Sequence, residues 1–206
     1  MASERVIVQQ TRITLVTGGS RSGKSAHALS LVGARNAGPD DPAAFVATCP
    51  VIDAEMQTRV ARHQTERAGL GWETVEEETR LADAVRAIRA TRPGRTILID
   101  SLSLWINNLM YHAQTSGDAL SEDRVSELAR ELIETCRATP GETILVTDEV
   151  GLGIIPENKS ARLFRDLVGR CNQTIAALAD VVTLVCCGIP VAIKTAPAFN
   201  QDREPQ

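Results

Sequence analysis

Apolar and polar positions along this chain follow two rhythms. Short β-branched runs lie at 12–17 (RITLVT), 44–48 (AFVAT), 96–100 (TILID), 143–147 (TILVT) and 181–187 (VVTLVCC). Most have too few polar positions for a solvent-facing side, which predicts strands buried on both faces. Between them, helical spacing predicts helices over 24–35, 53–67, 80–91, 121–138 and 159–179. Strands alternating with helices require crossover connections, hence an α/β fold built on a mostly parallel sheet flanked by helices. A last apolar segment, VAIK at 191–194, offers a further edge strand. The stretch AGPDDP (37–42) reads as an internal turn, residues 1–11 as an extension and 196–206 as a frayed tail. One domain over 1–206 is the simplest organisation.

Composition narrows this picture. Hydrophobic residues make up 43% of the 206 and aromatics only 3%, so the core must be aliphatic. The formal net charge is -4, and no Lys/Arg tract exists to follow a nucleic acid. No apolar run reaches membrane-spanning length, and the N-terminus lacks a signal-peptide pattern, so a cytoplasmic location is expected. The five cysteines, Cys49, Cys136, Cys171, Cys186 and Cys187, have irregular spacing unlike a disulfide framework or a zinc site. They are expected to be small buried hydrophobes. Cys186 and Cys187, adjacent on a predicted strand, should point to opposite faces.

The first strand runs into Gly18-Gly19-Ser20-Arg21-Ser22-Gly23-Lys24-Ser25, which fits G-x-x-x-x-G-K-[ST] and opens a helix. Strand before and helix after is the setting a phosphate-binding loop requires. Glycines let backbone N–H groups approach an anion, and the helix N-terminus adds partial positive charge. The motif points to a P-loop NTPase fold of RecA-like kind. Lys24 is expected to reach the β- and γ-phosphates, and Ser25 to ligate Mg²⁺. Asp100 closes another strand, where a Mg²⁺-linked acid belongs. It equally suits the N-cap of a helix in SLSLWINNL. Asp148 and Glu149 end the next strand and are candidates to hold a water, a base or a substrate hydroxyl. The guanine-reading N-K-x-D of regulatory GTPases is missing, because Asn158-Lys159 is followed by Ser160-Ala161.

A second informative stretch is 53–77. Asp53 is placed to cap a helix on which Arg59, His63 and Arg67 share a stripe. Arg59, Arg62 and Arg67 around one imidazole are placed to hold phosphate oxygens. They also disfavour the imidazolium, keeping the ring nucleophilic. A solvated basic face with an incidental histidine is the alternative. His27 and His112 have no such setting and read as structural.

These segments together resemble the bifunctional adenosylcobinamide kinase / adenosylcobinamide-phosphate guanylyltransferases of cobalamin biosynthesis. The resemblance is carried by GGSRSGKS (18–25), ATCPVIDAEMQTRVARH (47–63), WETVEE (72–77), IDSLSLWINNLM (99–110), TDEVGLGIIPENKSARLFRDLVGRCNQTIAALADVV (147–182) and CGIPVAIK (187–194). It implies that ATP or GTP phosphorylates the aminopropanol hydroxyl of adenosylcobinamide. It further implies that GTP guanylylates a histidine and that this GMP passes to the substrate phosphate. By position, His63 is then the nucleophile. Gly18 to Ser25, with Lys24, bind nucleotide phosphates, and Ser25 and Asp100 form the Mg²⁺ side. Ala47, Thr48, Cys49, Arg67 and Glu76 fall where the family contacts guanine nucleotide. A homotrimer is also implied. The chain departs from the family pattern at Arg67-Ala68, where Arg-Pro is common, and at Asp148, where many relatives carry Asn. It departs again at Cys49, where a small residue is usual, and in a loop before Trp72 that is one residue longer than in some relatives. The runner-up is a kinase-only or guanylyltransferase-only enzyme, although the chain keeps both the loop and His63. The competing class is a nucleotide-switched interaction module, and dependence of nucleotide turnover on a corrinoid separates it from the enzyme.

Overall fold

The computed structural model describes residues 11–35, 42–50 and 71–195. Its elements are β1 (Arg12–Gly18), α1 (Lys24–Arg35), β2 (Ala44–Ala47), β3 (Glu73–Glu76), α2 (Leu81–Thr91), β4 (Gly94–Asp100), α3 (Leu102–Thr115), α4 (Glu122–Arg137), β5 (Gly141–Asp148), α5 (Lys159–Leu178), β6 (Val181–Cys186) and β7 (Ile189–Lys194). The strands form one seven-stranded sheet in the order β3-β2-β4-β5-β1-β6-β7. Every pairing is parallel except β6 with β7.

All five apolar runs are strands, and the expected edge segment is β7. Strand β3 has no apolar run to announce it. Its sequence ETVE is mostly exposed because it closes the sheet beyond β2, so only its register with Ala44–Ala47 defines it. Helix α3 is capped by Ser101, whose side chain accepts from the Leu104 N–H; the capping alternative for Asp100 therefore falls one residue short. The predicted helix over 53–67 lies outside the described residues, as do most of the turn at 37–42 and of the two chain ends.

The alternation of side chains across the pleat splits the core in two. On one face Ile13, Leu15, Val46, Ile97, Ile99 and Leu145 pack under α2, α3, α4 and α5. On the other, Val16, Phe45, Leu98, Ile144 and Val146 meet Ala28 and Val32 of α1. Trp105 is buried with its Nε1 donating to the Thr79 carbonyl at 2.7 Å, so the indole in this core is also hydrogen-bonded.

The cysteines divide into two kinds. Cys136 and Cys171 are buried as expected, and burial pushes the Cys171 thiol up to about 12. Cys49 is half-buried, and Cys186 and Cys187 are exposed. The expectation of opposite faces also fails, because β6 stops at Cys186 and the chain turns. Cys186 pairs with Ile189, leaving Cys187 (φ 53) and Gly188 (φ 79) at the centre of a two-residue hairpin. Positive φ at both central residues is the mark of a type I′ turn. A residue with a Cβ in this left-handed region costs roughly 1–2 kcal/mol. The two sulfurs end 3.8 Å apart.

Candidate active site

Parallel strands deliver their carboxyl ends to one edge of the sheet, where open α/β sheets bind ligands. Gly18 of β1 stands beside Asp148 of β5, and Ala47 of β2 stands between Glu76 of β3 and Asp100 of β4. Five of the sequence-predicted residues, Gly18, Ala47, Glu76, Asp100 and Asp148, therefore converge here with the loop that follows Gly18. Because β5 lies between β1 and β4, Asp148 sits between the loop and Asp100.

The loop from Gly18 to Ser25 is stiffened from within and from behind. Ser22 N–H donates to the Gly19 carbonyl at 3.2 Å, and His27 N–H to the Gly23 carbonyl at 3.0 Å as α1 begins. Arg21 (φ 56) and Gly23 (φ 93) take left-handed backbone, which curls the chain. Gly18 has no room for a side chain: a Cβ there would overlap the Val185 carbonyl and come within 2.6 Å of Ser22 Oγ. Gly19, Ser20 and Arg21 are exposed, and Ser25 lies in the first turn of α1. Ser22 Oγ is buried with no hydrogen-bond partner among the described residues.

Lys24 is mostly buried. Its ammonium pairs with Asp148 Oδ1 and donates to the Gly19 carbonyl at 3.3 Å. Asp148 is itself fixed on all sides: its Oδ2 accepts from Ser103 Oγ, and its carbonyl accepts from Asn172 Nδ2 at 3.0 Å. Ser103 Oγ in turn contacts Ser101 Oγ at 2.9 Å, and Thr147 Oγ1 donates to Asn172 Oδ1 at 2.7 Å. Glu149, by contrast, turns away and accepts from Gly151 N–H at 2.8 Å, while its own N–H reaches the Gly18 carbonyl at 3.0 Å.

Thr48 is fully buried, and its hydroxyl is spent on Ser101: Oγ1 accepts the Ser101 N–H and faces the Ser101 carbonyl, each at 2.8 Å. The Thr48 carbonyl accepts from Asn108 Nδ2 at 2.8 Å. Thr48 thus ties the end of β2 to the start of α3, while half-buried Ala47 and Cys49 and exposed Glu76 face the edge beside it. His63 and Arg67 lie outside the described residues, with Arg59 and Arg62. His27 is on α1, where burial lowers its imidazole below the ordinary value, and His112 is near the end of α3 with its ring against Tyr111.

Sequence reasoning did not reach Ser101, Ser103, Asn108 or Asn172. Each is an ordinary helix residue or cap by local pattern; what distinguishes it is a partner on another strand end.

The family described as cobinamide kinase / cobinamide phosphate guanyltransferase matches residues 14–193. This chain belongs to that family. The matched span takes in the loop, the stretch that carries His63, Asp100, Asp148 and the β6–β7 turn. Among similar curated proteins are the bifunctional adenosylcobalamin biosynthesis proteins CobU of Salmonella typhimurium and Escherichia coli. The first is 40% identical over 87% of this chain and 98% of its own length. The second is 37% identical over 87% and 98%. The bifunctional adenosylcobalamin biosynthesis protein CobP of Pseudomonas aeruginosa is 34% identical over 89% of this chain and 98% of its own length.

Proposed function

We propose that the loop from Gly18 to Ser25 seats the triphosphate of ATP or GTP, and that His63 carries GMP to the phosphorylated corrinoid. The chain is a transferase of adenosylcobalamin biosynthesis, a cobinamide kinase and cobinamide-phosphate guanylyltransferase. The observation that carries the reading of the loop is the ammonium of Lys24, held at the carboxyl edge by Asp148 above a loop with left-handed turns at Arg21 and Gly23. An arriving phosphate replaces Asp148 as the partner of Lys24, and loop N–H groups take the remaining oxygens.

In the kinase step the aminopropanol hydroxyl of adenosylcobinamide attacks the γ-phosphorus. The new O–P bond forms as the β,γ-bridging bond breaks, and the nucleoside diphosphate leaves. In the second reaction a neutral His63 nitrogen attacks the α-phosphorus of GTP and pyrophosphate leaves. A phosphate oxygen of the corrinoid then displaces the histidine, giving adenosylcobinamide-GDP. Arg59, Arg62 and Arg67 supply charge for the α-phosphate, and Ala47, Cys49, Arg67 and Glu76 form the guanine-nucleotide side, with Thr48, turned inward, fixing the end of β2 behind them.

The donor set suits Mg²⁺: Ser25 offers a hydroxyl and Asp100 a carboxylate, both hard oxygens. This ion takes few protein ligands and fills its shell with water and phosphate. It would offset the charge of the β- and γ-phosphates. We further assign the chain as one domain acting in the cytoplasm as a homotrimer. Exposed Ile189, Val191 and Ile193, on one side of β7, offer apolar surface for such an assembly. No helix among the described residues is long and apolar enough to cross a membrane.

The test is incubation with Mg²⁺ and GTP labelled at the α-phosphate, followed by denaturation. Acid-labile, alkali-stable label on the wild type and none on His63→Ala is the expected result. A folded, GTP-binding wild type without label would remove the covalent mechanism and leave a kinase with His63 as a phosphate contact.

A further inference from the structure

The hairpin that joins β6 to β7 breaks a local rule. Type I′ turns take Asn-Gly, Asp-Gly or Gly-Gly, because both central residues need positive φ. Here the first central position is Cys187, at φ 53, directly after a second exposed cysteine. A residue held against its backbone preference on an exposed turn, with no packing to reward it, is a feature to explain by function. The turn is also bonded to the phosphate loop: Gly188 N–H donates to the Ser22 carbonyl at 2.8 Å. Gly23 lies so close to the turn that a Cβ on it would meet Gly188 Cα at 3.2 Å. The Val185 carbonyl, just before the two thiols, closes the space beside Gly18. The backbone of 185–188 is thus the rear wall of the loop, and the thiol pair sits on that wall.

We propose that Cys186 and Cys187 are a thiol-exchange site for low-molecular-weight disulfides, and that their oxidation disables the phosphate loop through Gly188. One thiolate attacks the reagent disulfide, forming a mixed disulfide and releasing one reagent thiolate. The neighbouring thiolate then attacks the protein sulfur of that mixed disulfide, and the second reagent thiolate leaves. Two electrons pass from the cysteines to the reagent, whose two thiolates take up the two protons. Hydrogen bonding to Cys187, then electrostatics from the same neighbour, holds the Cys186 thiol above its ordinary value. Closing the bond brings the sulfurs from 3.8 Å to ~2.05 Å within a ring that includes the intervening peptide. The backbone at Cys187 must reorient to do this. That removes the positive-φ geometry aiming the Gly188 N–H at Ser22, and the loop loses its rear support. Cys136 and Cys171 are buried and stay outside this chemistry.

The proposal rests on the loop being the nucleotide site, so two readouts are kept separate. Reduced protein, protein treated with glutathione disulfide, and treated protein re-reduced with dithiothreitol are compared by intact and peptide mass and by GTP titration calorimetry. The expected result is loss of two mass units located to a Cys186–Cys187 peptide, with GTP affinity lowered at least tenfold and restored by reductant. Cys187→Asn, which suits the turn, and Cys186→Ser should bind GTP as the reduced wild type does and, lacking the second thiol, should stop at the mixed disulfide, with no 186–187 link and with GTP affinity kept after treatment. Absence of the linked peptide overturns the proposal. So does a linked peptide with unchanged GTP affinity, or an equal response in both variants. Failure of the reduced wild type to bind GTP would instead overturn the reading of the loop.

Discussion

Two cations lie near opposite ends of the same sheet and are held in opposite ways. Arg89, at the end of α2, is buried against the amino end of β5. Its guanidinium donates to the carbonyls of Cys136 at 2.8 Å, Thr139 at 2.6 Å and Glu142 at 3.2 Å, and to Thr143 Oγ1 at 2.8 Å. Those acceptors are almost all main chain and cannot leave. Burial lowers the Arg89 pKa, with the Cys136 side chain opposing this. Lys24, at the carboxyl end, is held by a carboxylate that has other partners and by one loop carbonyl. A cation surrounded by fixed carbonyls is a staple for the fold. A cation held by an exchangeable anion is available to a ligand. The difference lies in the partner: phosphate competes with Asp148 for Lys24, whereas Arg89, only 2% exposed, is held by acceptors that belong to the fold itself.

Substitution at each end should separate the two roles. Lys24→Ala should lower kcat of the kinase reaction by about 10²–10³, as loss of an electrostatic contact to a transferring group does. Its melting temperature should hardly move, since a partly solvated ion pair contributes about 1 kcal/mol or less. A stability loss as large as the activity loss would erase the contrast. Arg89→Ala should do the reverse. Stranding several buried carbonyls costs about 3 kcal/mol, seen as a melting temperature lower by about 10 °C. The kinetic constants of the folded fraction should remain those of wild type.

A smaller effect tests whether Asp148 competes with nucleotide. Asp148→Asn removes the anion but keeps the shape, so GTP should bind about fivefold more tightly, the equivalent of ~1 kcal/mol. Weaker binding in a titration would mean that Asp148 stays engaged in the complex. The smallest effect concerns the other end of α2. Arg80 gives that helix no side-chain cap; instead the Glu77 carboxylate accepts the N–H groups of Thr79 at 2.9 Å and Arg80 at 2.8 Å. Burial raises its pKa, but those two backbone hydrogen bonds, with the Arg80 charge and the Thr79 hydroxyl, together outweigh it, so the carboxyl titrates below its ordinary 4.5. A carboxyl depressed in the folded state stabilises above the unfolded value and loses that contribution as pH falls through the folded one. Glu77→Gln should therefore cost about 0.5–1 kcal/mol near neutrality, and denaturant titrations should show this gap narrowing below about pH 4.5.

By itself the sequence determined the strand–loop–helix that presents Lys24, the five central strands and the family. Each is written in a local signal: a run of apolar residues, a helical period, or eight consecutive residues of a motif. These signals work because burial on both faces and the geometry of a tight turn restrict residue type at each position separately. The weakly patterned edge strand β3, the partnership of Lys24 with Asp148, the inward turn of Thr48 and the meeting of two thiols were decided only by tertiary structure. Lys24 and Asp148 stand on elements far apart in the chain, and no periodicity records which strand end lies beside which. The thiols are adjacent in sequence, yet as strand residues they should diverge. They come together because β7 returns antiparallel along β6, forcing a tight turn at Cys187, and where a strand stops is set by the neighbour that pairs with it.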